Sequence, residues 1–266
     1  MHMKFPFRSY PFYTALFLSC VVALSGCGGE SDEEIFGEEE GGAGGGAMTI
    51  DPATAATITG KVSFDGAAPA PEAVSQESDP VCATAASSLK PEFTQAVVVS
   101  DGKLANVFVY ISEGIDGSFA PPTDPVVLDQ HGCRYHPHVV GAMVGQKVQF
   151  KNSDATLHNV HASPTKNAGF NLAQATQGKT DEKSFEQAEV MIPVTCDVHG
   201  WMKSYVGVLS HPFYSVSAND GAFSLKGVPP GTYTITAWHE KLGEQKQQVV
   251  VKEKETKDIA FTFKAQ

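Results

Sequence analysis

The stretch Pro193-Val-Thr-Cys-Asp-Val-His-Gly-Trp-Met202 decides how this chain is read. It sets Cys196, His199 and Met202 in a C-x2-H-x2-M array. A thiolate, an imidazole and a thioether on one short loop can converge on a single ion. Donors this soft suit copper better than calcium or magnesium. Zinc also takes Cys and His, but its structural sites rarely use Met. Three donors leave the set one imidazole short, and Leu157-His-Asn-Val-His161 supplies a candidate upstream. His158 and His161 compete for that place. Strand alternation puts them on opposite faces, so both would reach one ion only if the chain bends.

Together the two pieces resemble the cupredoxins, the plastocyanin and amicyanin type of blue-copper protein. In that family a His-Asn pair at a strand end gives the first imidazole, and a Cys-x2-His-x(2–4)-Met loop between the last two strands gives the rest. The resemblance covers roughly residues 125–210 and implies a Greek-key β-sandwich with one type 1 copper. It makes His158 the first ligand, Cys196 the thiolate, His199 the second imidazole and Met202 the axial ligand. Asn159 matches the Asn that steadies the loop and the sulfur, and the short Gly200-Trp201 gap is amicyanin-like. Trp201 either packs inward beside the ligands or forms an apolar patch at the copper. The resemblance also implies that His199 lies near the surface and serves as the electron port. His136-Pro-His138 near Cys133 suggests a second metal site, but no further well-spaced ligands accompany it.

The chain has 266 residues and a net charge of −11. Lys4 and Arg8 precede the apolar run Ala15–Leu24, which is short for a membrane span. Leu24-Ser-Gly-Cys27 resembles a bacterial lipobox, which implies a signal peptide over 1–26, cleavage before Cys27 and a diacylglycerol on its sulfur. Gly28 follows where an Asp would hold a lipoprotein in the inner membrane, so the expectation is an exported protein anchored to the outer membrane and facing the periplasm. Residues 27–55 read as a tether: Gly28–Ile50 carries seven acids, no base and many glycines, and cannot bury a core. The acidic balance excludes a nucleic-acid partner, which needs a basic surface. It allows a basic redox partner such as a cytochrome or dehydrogenase.

Of the five cysteines, Cys20 leaves with the leader, Cys27 is lipidated and Cys196 is the copper ligand. Cys82 and Cys133 remain. Exported proteins usually pair such leftovers, although two buried thiols are the alternative.

Ile58, Val62 and Phe64 alternate with polar residues, a strand with one buried face. The Pro/Ala/Ser-rich stretch to Ser88 reads as mostly loop. Val97–Ser100, Asp101-Gly102 and Asn106–Ile111 read as a hairpin. Thr165–Gln187 is polar and reads as a long loop or short helix. After Asn219, strand patterns over Gly221–Leu225, Gly231–Trp238, Gln248–Val251 and Ile259–Phe263 alternate well. Asp220-Gly-Ala-Phe223 and Val228-Pro-Pro-Gly-Thr-Tyr233 resemble the carboxypeptidase regulatory-like β-sandwich, and Ile58–Val62 and Ala105–Ile111 resemble its opening strands. The fold is therefore expected to be all-β: a copper domain over 121–212 inserted into a small immunoglobulin-like sandwich made of 56–120 and 213–266. Ala105–Ile111 should then pair with strands from Gly221 to Phe263. Two sandwiches in series, the first ending near Ser210, also fit the pattern.

No Gly-x-Ser-x-Gly elbow, phosphate loop or His-Glu-x-x-His occurs. A dinuclear copper centre would need a second loop Cys, and a copper oxidase or nitrite reductase a further ligand set. The sequence therefore reads as a lipid-anchored electron carrier rather than an enzyme. A copper-holding or delivery protein, or a cell-envelope module for adhesion or carbohydrate, is the alternative.

Overall fold

Alternating apolar residues build the strands of the opening segment. The structure, a computed structural model, describes residues 48–88 and 94–265; the leader, Cys27 and most of the acidic tether lie outside them. In β1 (Ala56–Asp65), Ala56, Ile58, Gly60, Val62 and Phe64 point inward and the residues between them outward. α1 (Pro80–Ser88) follows, then β2 (Val99–Ser100), β3 (Lys103–Leu104) and β4 (Phe108–Glu113). The middle segment holds β5 (Val126–Gln130), β6 (Tyr135–His136), β7 (Val139–Met143), β8 (Val148–Asn152), β9 (His158–Ala162), β10 (Phe170–Gln174), β11 (Thr180–Lys183), β12 (Glu189–Thr195) and β13 (Lys203–Leu209). The closing segment holds β14 (Tyr214–Val216), β15 (Ala222–Val228), β16 (Gly231–His239), β17 (Gly243–Val251) and β18 (Thr256–Lys264).

Four sheets result. Two are built only from opening and closing strands. In one, β1 sits between β15, antiparallel, and β18, parallel, with β3 and β2 attached; in the other the order is β14-β4-β16-β17. β4 therefore pairs with β16, Ile111 opposite Ile235, across more than a hundred residues of chain. The other two sheets are built only from middle strands, β10-β9-β12-β13-β7 and β11-β8-β5-β6. This is an all-β sandwich architecture with one short helix among the described residues.

Burial follows the same division. One apolar core contains Ile58, Val62, Val109, Ile111, Phe223, Leu225, Ile235, Phe261 and Phe263 from the flanking segments. A second contains Leu128, Phe150, Val160, Ile192, Val194, Val206 and Val208 from the middle, and also Cys196, Met202 and the Cys82–Cys133 disulfide. A small seam of Phe108, Tyr110, Val139, Met191 and Leu209, with Tyr214 and Trp238 against it, joins them. Gly60 and Gly207 mark close approaches. A Cβ on Gly60 would lie 2.1 Å from the Ile259 carbonyl, and one on Gly207 2.6 Å from the Phe108 ring.

Three local expectations are corrected. The segment before Ser88 holds a helix, because Asp79 caps it: its Oδ1 accepts from the N–H groups of Val81 (2.8 Å) and Cys82 (3.2 Å), and Pro80 occupies the first turn. The hairpin at Asp101-Gly102 closes on Lys103–Leu104, not on residues 106–111. Asn106, at φ 60°, turns the chain away into the second flanking sheet. Thr165–Gln187 contains two strands, β10 and β11, that edge the middle sheets. Their polar sequence reflects edge positions, where one side stays wet.

Candidate metal centre

The ligand loop is closed by its own backbone. Cys196 N–H donates to the Met202 carbonyl (3.2 Å), and Met202 N–H to the His199 carbonyl (2.9 Å). The loop thus folds back between β12 and β13, which pair through Thr195 and Lys203. β9 pairs beside β12 and brings His158 to the same end. Asn159 ties the two pieces: its Oδ1 accepts from Asp197 N–H at 2.6 Å, and its Nδ2 donates to Asn171 and Asp197.

The result is a compact donor set. His158 Nδ1 and His199 Nδ1 face each other at 2.9 Å, and Cys196 Sγ lies 3.8 Å from His199 Nδ1. The ligand atoms of His158, Cys196 and His199 all lie within 4.8 Å of one another. Separations of this size are what three ligands about 2.0–2.3 Å from one ion span. His158 is fully buried, Met202 is 1% exposed, and Cys196 and His199 are 2% exposed. Met202 shares the apolar core with Cys196. Cys196 is the free cysteine among the described residues. Two other potential clusters depend on Cys82 and Cys133, whose sulfurs are joined in the disulfide, so the His158–Cys196–His199 set is the one with a thiol to give.

The electrostatics of the centre follow from these contacts. Burial opposes charge on His158, but hydrogen bonding to Asp154 and the nearby Cys196 sulfur outweigh it and raise its pKa to about 9. Burial would raise the Cys196 thiol, yet His158 and the N–H groups of Asn159, His199 and Val198 bring it below its ordinary value. His199 is lowered by burial and by the charge of His158, with Asp79 opposing. Two facing Nδ1 atoms hold one proton between them. A metal ion would replace it, and the thiolate would offset the ion's charge.

His161 stays out of the centre. It lies on the outer face of β9, with its side chain 41% exposed, and pairs with Asp197 at 3.0 Å. The structure does not group His136 and His138 as ligands. His138 is buried against Glu240 and also contacts the Lys203 carbonyl, while its neighbour Tyr205 donates to Glu240 at 3.1 Å. Trp201 packs inward: its ring centroid is 5.0 Å from that of His199, and its Nε1 donates to the Cys133 carbonyl at 3.0 Å.

His199 was expected near the surface, and this is corrected. Its Nε2 faces Asp79 Oδ2 at 3.3 Å and Cys82 Sγ at 3.6 Å, so the α1 segment covers the position where solvent was expected. Sequence reasoning also missed the carboxylates. Asp154 Oδ2 sits 3.0 Å from His158 Nε2. The signals were present: Asp79 stands before Pro80 as a helix cap, and Asp154 is four residues before His158.

Comparison with known proteins gives partial likenesses. A family model described as "Polysaccharide lyase family 4, domain II" matches residues 187–259, just over a quarter of the chain. No curated protein matches the chain. Among solved structures, a copper-containing nitrite reductase from Thermus scotoductus SA-01 is 20% identical over 38% of this chain and 25% of its own, with a TM-score of 0.31. This chain therefore spans about a quarter of that protein. An oxidised amicyanin variant is 21% identical over 38% of this chain and 97% of its own, with a TM-score of 0.30. A purple cupredoxin from Nitrosopumilus maritimus is 22% identical over 32% and 97%, with a TM-score of 0.27.

Proposed function

We propose that this chain is a lipid-anchored, non-enzymatic copper protein that carries single electrons at the cell envelope. The observation that carries the reading is the convergence of His158 Nδ1, His199 Nδ1 and Cys196 Sγ in one buried cluster, with Met202 buried on the same loop. Copper would supply a one-electron couple there. Two imidazoles, a thiolate and a thioether are the donor set of a type 1 site, and Met202 would supply the thioether. The residues fit that ion: the donors are soft, and the loop holds them near ligand spacing before any metal arrives. Asn159 locks the loop to β9, which would keep the donors in place when the ion changes oxidation state. Trp201 and the disulfide sulfur of Cys82 pack against His199.

The exported, lipid-modified state is read from Leu24–Cys27, with Cys27 anchoring the chain in the outer membrane toward the periplasm. The partner is a redox protein such as a cytochrome or dehydrogenase. Strand pairing of β1 and β4 with the closing segment supports reading the middle as an insertion in a regulatory-like sandwich. The same enclosure favours a carrier over copper delivery, because handing over an ion requires an open coordination face.

The test uses copper-loaded protein, mixed first with a c-type cytochrome and then with a Cu(I) chelator. A carrier exchanges electrons with the cytochrome in milliseconds to seconds and gives copper to the chelator over hours. Fast copper loss with no electron exchange would indicate delivery.

A further inference from the structure

We propose that Asp79 and Asp154 are positioning residues of this centre, each clamping the outward nitrogen of one ligand imidazole, and that Asp79 makes the α1 segment a working part of it. The inference rests on reading His158 and His199 as copper ligands.

Both imidazoles present Nδ1 inward and Nε2 outward. Each Nε2 meets a carboxylate oxygen, Asp154 Oδ2 at 3.0 Å from His158 and Asp79 Oδ2 at 3.3 Å from His199. A carboxylate only accepts, so it holds the ring hydrogen on Nε2 and leaves the Nδ1 lone pair for the ion. The carboxylates are themselves fixed by donors. Asp154 accepts from the N–H groups of Gly132 and Cys133, both at 2.8 Å. Asp79 accepts from Val81 and Cys82 N–H and from the Thr156 hydroxyl at 2.7 Å.

The disulfide joins the two clamps. Cys82 lies in the first turn of the helix that Asp79 caps, and Cys133 donates its N–H to Asp154. Among the described residues of α1, only Cys82 enters the buried apolar core. The disulfide and Asp79 therefore hold the start of the helix at the centre. Its polar contact is spent on a ligand ring. Two carboxylates beside the imidazoles make them stronger donors and favour the more highly charged ion, Cu(II) over Cu(I).

The experiment is a redox titration of copper-loaded wild type, Asp79→Asn and Asp154→Asn. Each variant should shift the Cu(II)/Cu(I) preference about tenfold toward Cu(I), which for a one-electron couple is an upward move of about 59 mV. Folded variants with unchanged potentials overturn the proposal. A readout independent of copper comes from proton NMR of the metal-free protein. The wild type should show slowly exchanging downfield Nε2–H signals for both rings. Asp79→Asn should lose that of His199 only, and Asp154→Asn that of His158 only. Retention of both signals in both variants also overturns the clamps. If Asp79→Asn does not fold, Thr156→Val frees the Asp79 carboxylate without removing it and should give shifts of the same sign but smaller. No shift there counts against the proposal. Wild type that shows both signals but binds no copper would sink the ligand reading and leave the clamps standing.

Discussion

The flanking sandwich and the middle region are both all-β, yet they are held in different ways. The sandwich core is mostly apolar, from Ile58 and Ile111 to Phe223 and Phe263, with Ser217, Thr236 and His239 as buried polar residues. The middle region buries Gln130, Asn152, Asp154, His158, Asn159, Gln174, Glu189 and His199. Gln130, Gln174, Asn152, Asp154, His158 and His199 form one connected network. Asn152 Nδ2 donates to the Thr156 and Gln174 carbonyls, and the Gln130 amide donates to the Gln174 side chain. Buried polar groups cost free energy unless each is satisfied. One region buries few polar groups. The other gives up apolar area to hold charged and polar groups in fixed places, as a site requires.

The largest break comes from removing the closing strands. A chain ending at Ser210 deprives β1 of β15 and β18, and β4 of β14 and β16. The exposed edges and uncovered apolar face should make it aggregate or remain partly unfolded. Sedimentation and thermal unfolding check this; cooperative unfolding near the full-length midpoint would show that the middle region does not need the sandwich around it.

Next is the disulfide. Cys82 and Cys133 are 51 residues apart, and the chain-entropy estimate for losing that link is about 4 kcal/mol. Cys82→Ser with Cys133→Ser should lose most of that in urea unfolding. The middle region's copper affinity should suffer with it, whereas a change in the sandwich such as Ile58→Ala, costing about 2–5 kcal/mol, should leave the copper spectrum intact.

A smaller effect is expected at Glu189. It is buried and accepts from the N–H groups of Thr165, Lys166 and Asn167. Burial would raise its pKa, but those bonds lower it to about 2. Because the folded value is depressed, its contribution is full above the unfolded carboxylate range, near 4.3, and disappears as pH falls through about 2. Glu189→Gln should cost about 1–3 kcal/mol at pH 7 and flatten stability between pH 5 and pH 2. An unaltered acid profile would show that this carboxylate is not a support of the middle region. The smallest effect belongs to His161→Ala. The pair with Asp197 is exposed on both sides, so stability should change by less than about 1 kcal/mol and the copper spectrum hardly at all.

The same contrast explains what the sequence revealed. Alternating strands of the sandwich were legible because one face is uniformly apolar, as in β1 and β18. The candidate ligand residues were legible because Cys196, His199 and Met202 crowd one loop. The cover over His199 was not, because its cause is distributed. Asp79, Cys82, Cys133 and Thr156 lie far apart along the chain, and each has an ordinary local role as a cap, a cysteine pair or a loop hydroxyl. The edge strands β10 and β11 were hidden by polarity, since their partners rather than their own residues define them.

The central claim, that His158, Cys196, His199 and Met202 hold one copper ion, is tested most directly by the visible spectrum of residues 48–266 titrated with Cu(II). The account predicts an intense sulfur-to-copper band that saturates at one equivalent, disappears in Cys196→Ser, is lost or strongly altered in His158→Ala and survives in His161→Ala. Absence of the band in wild type, or its persistence in Cys196→Ser, would contradict it.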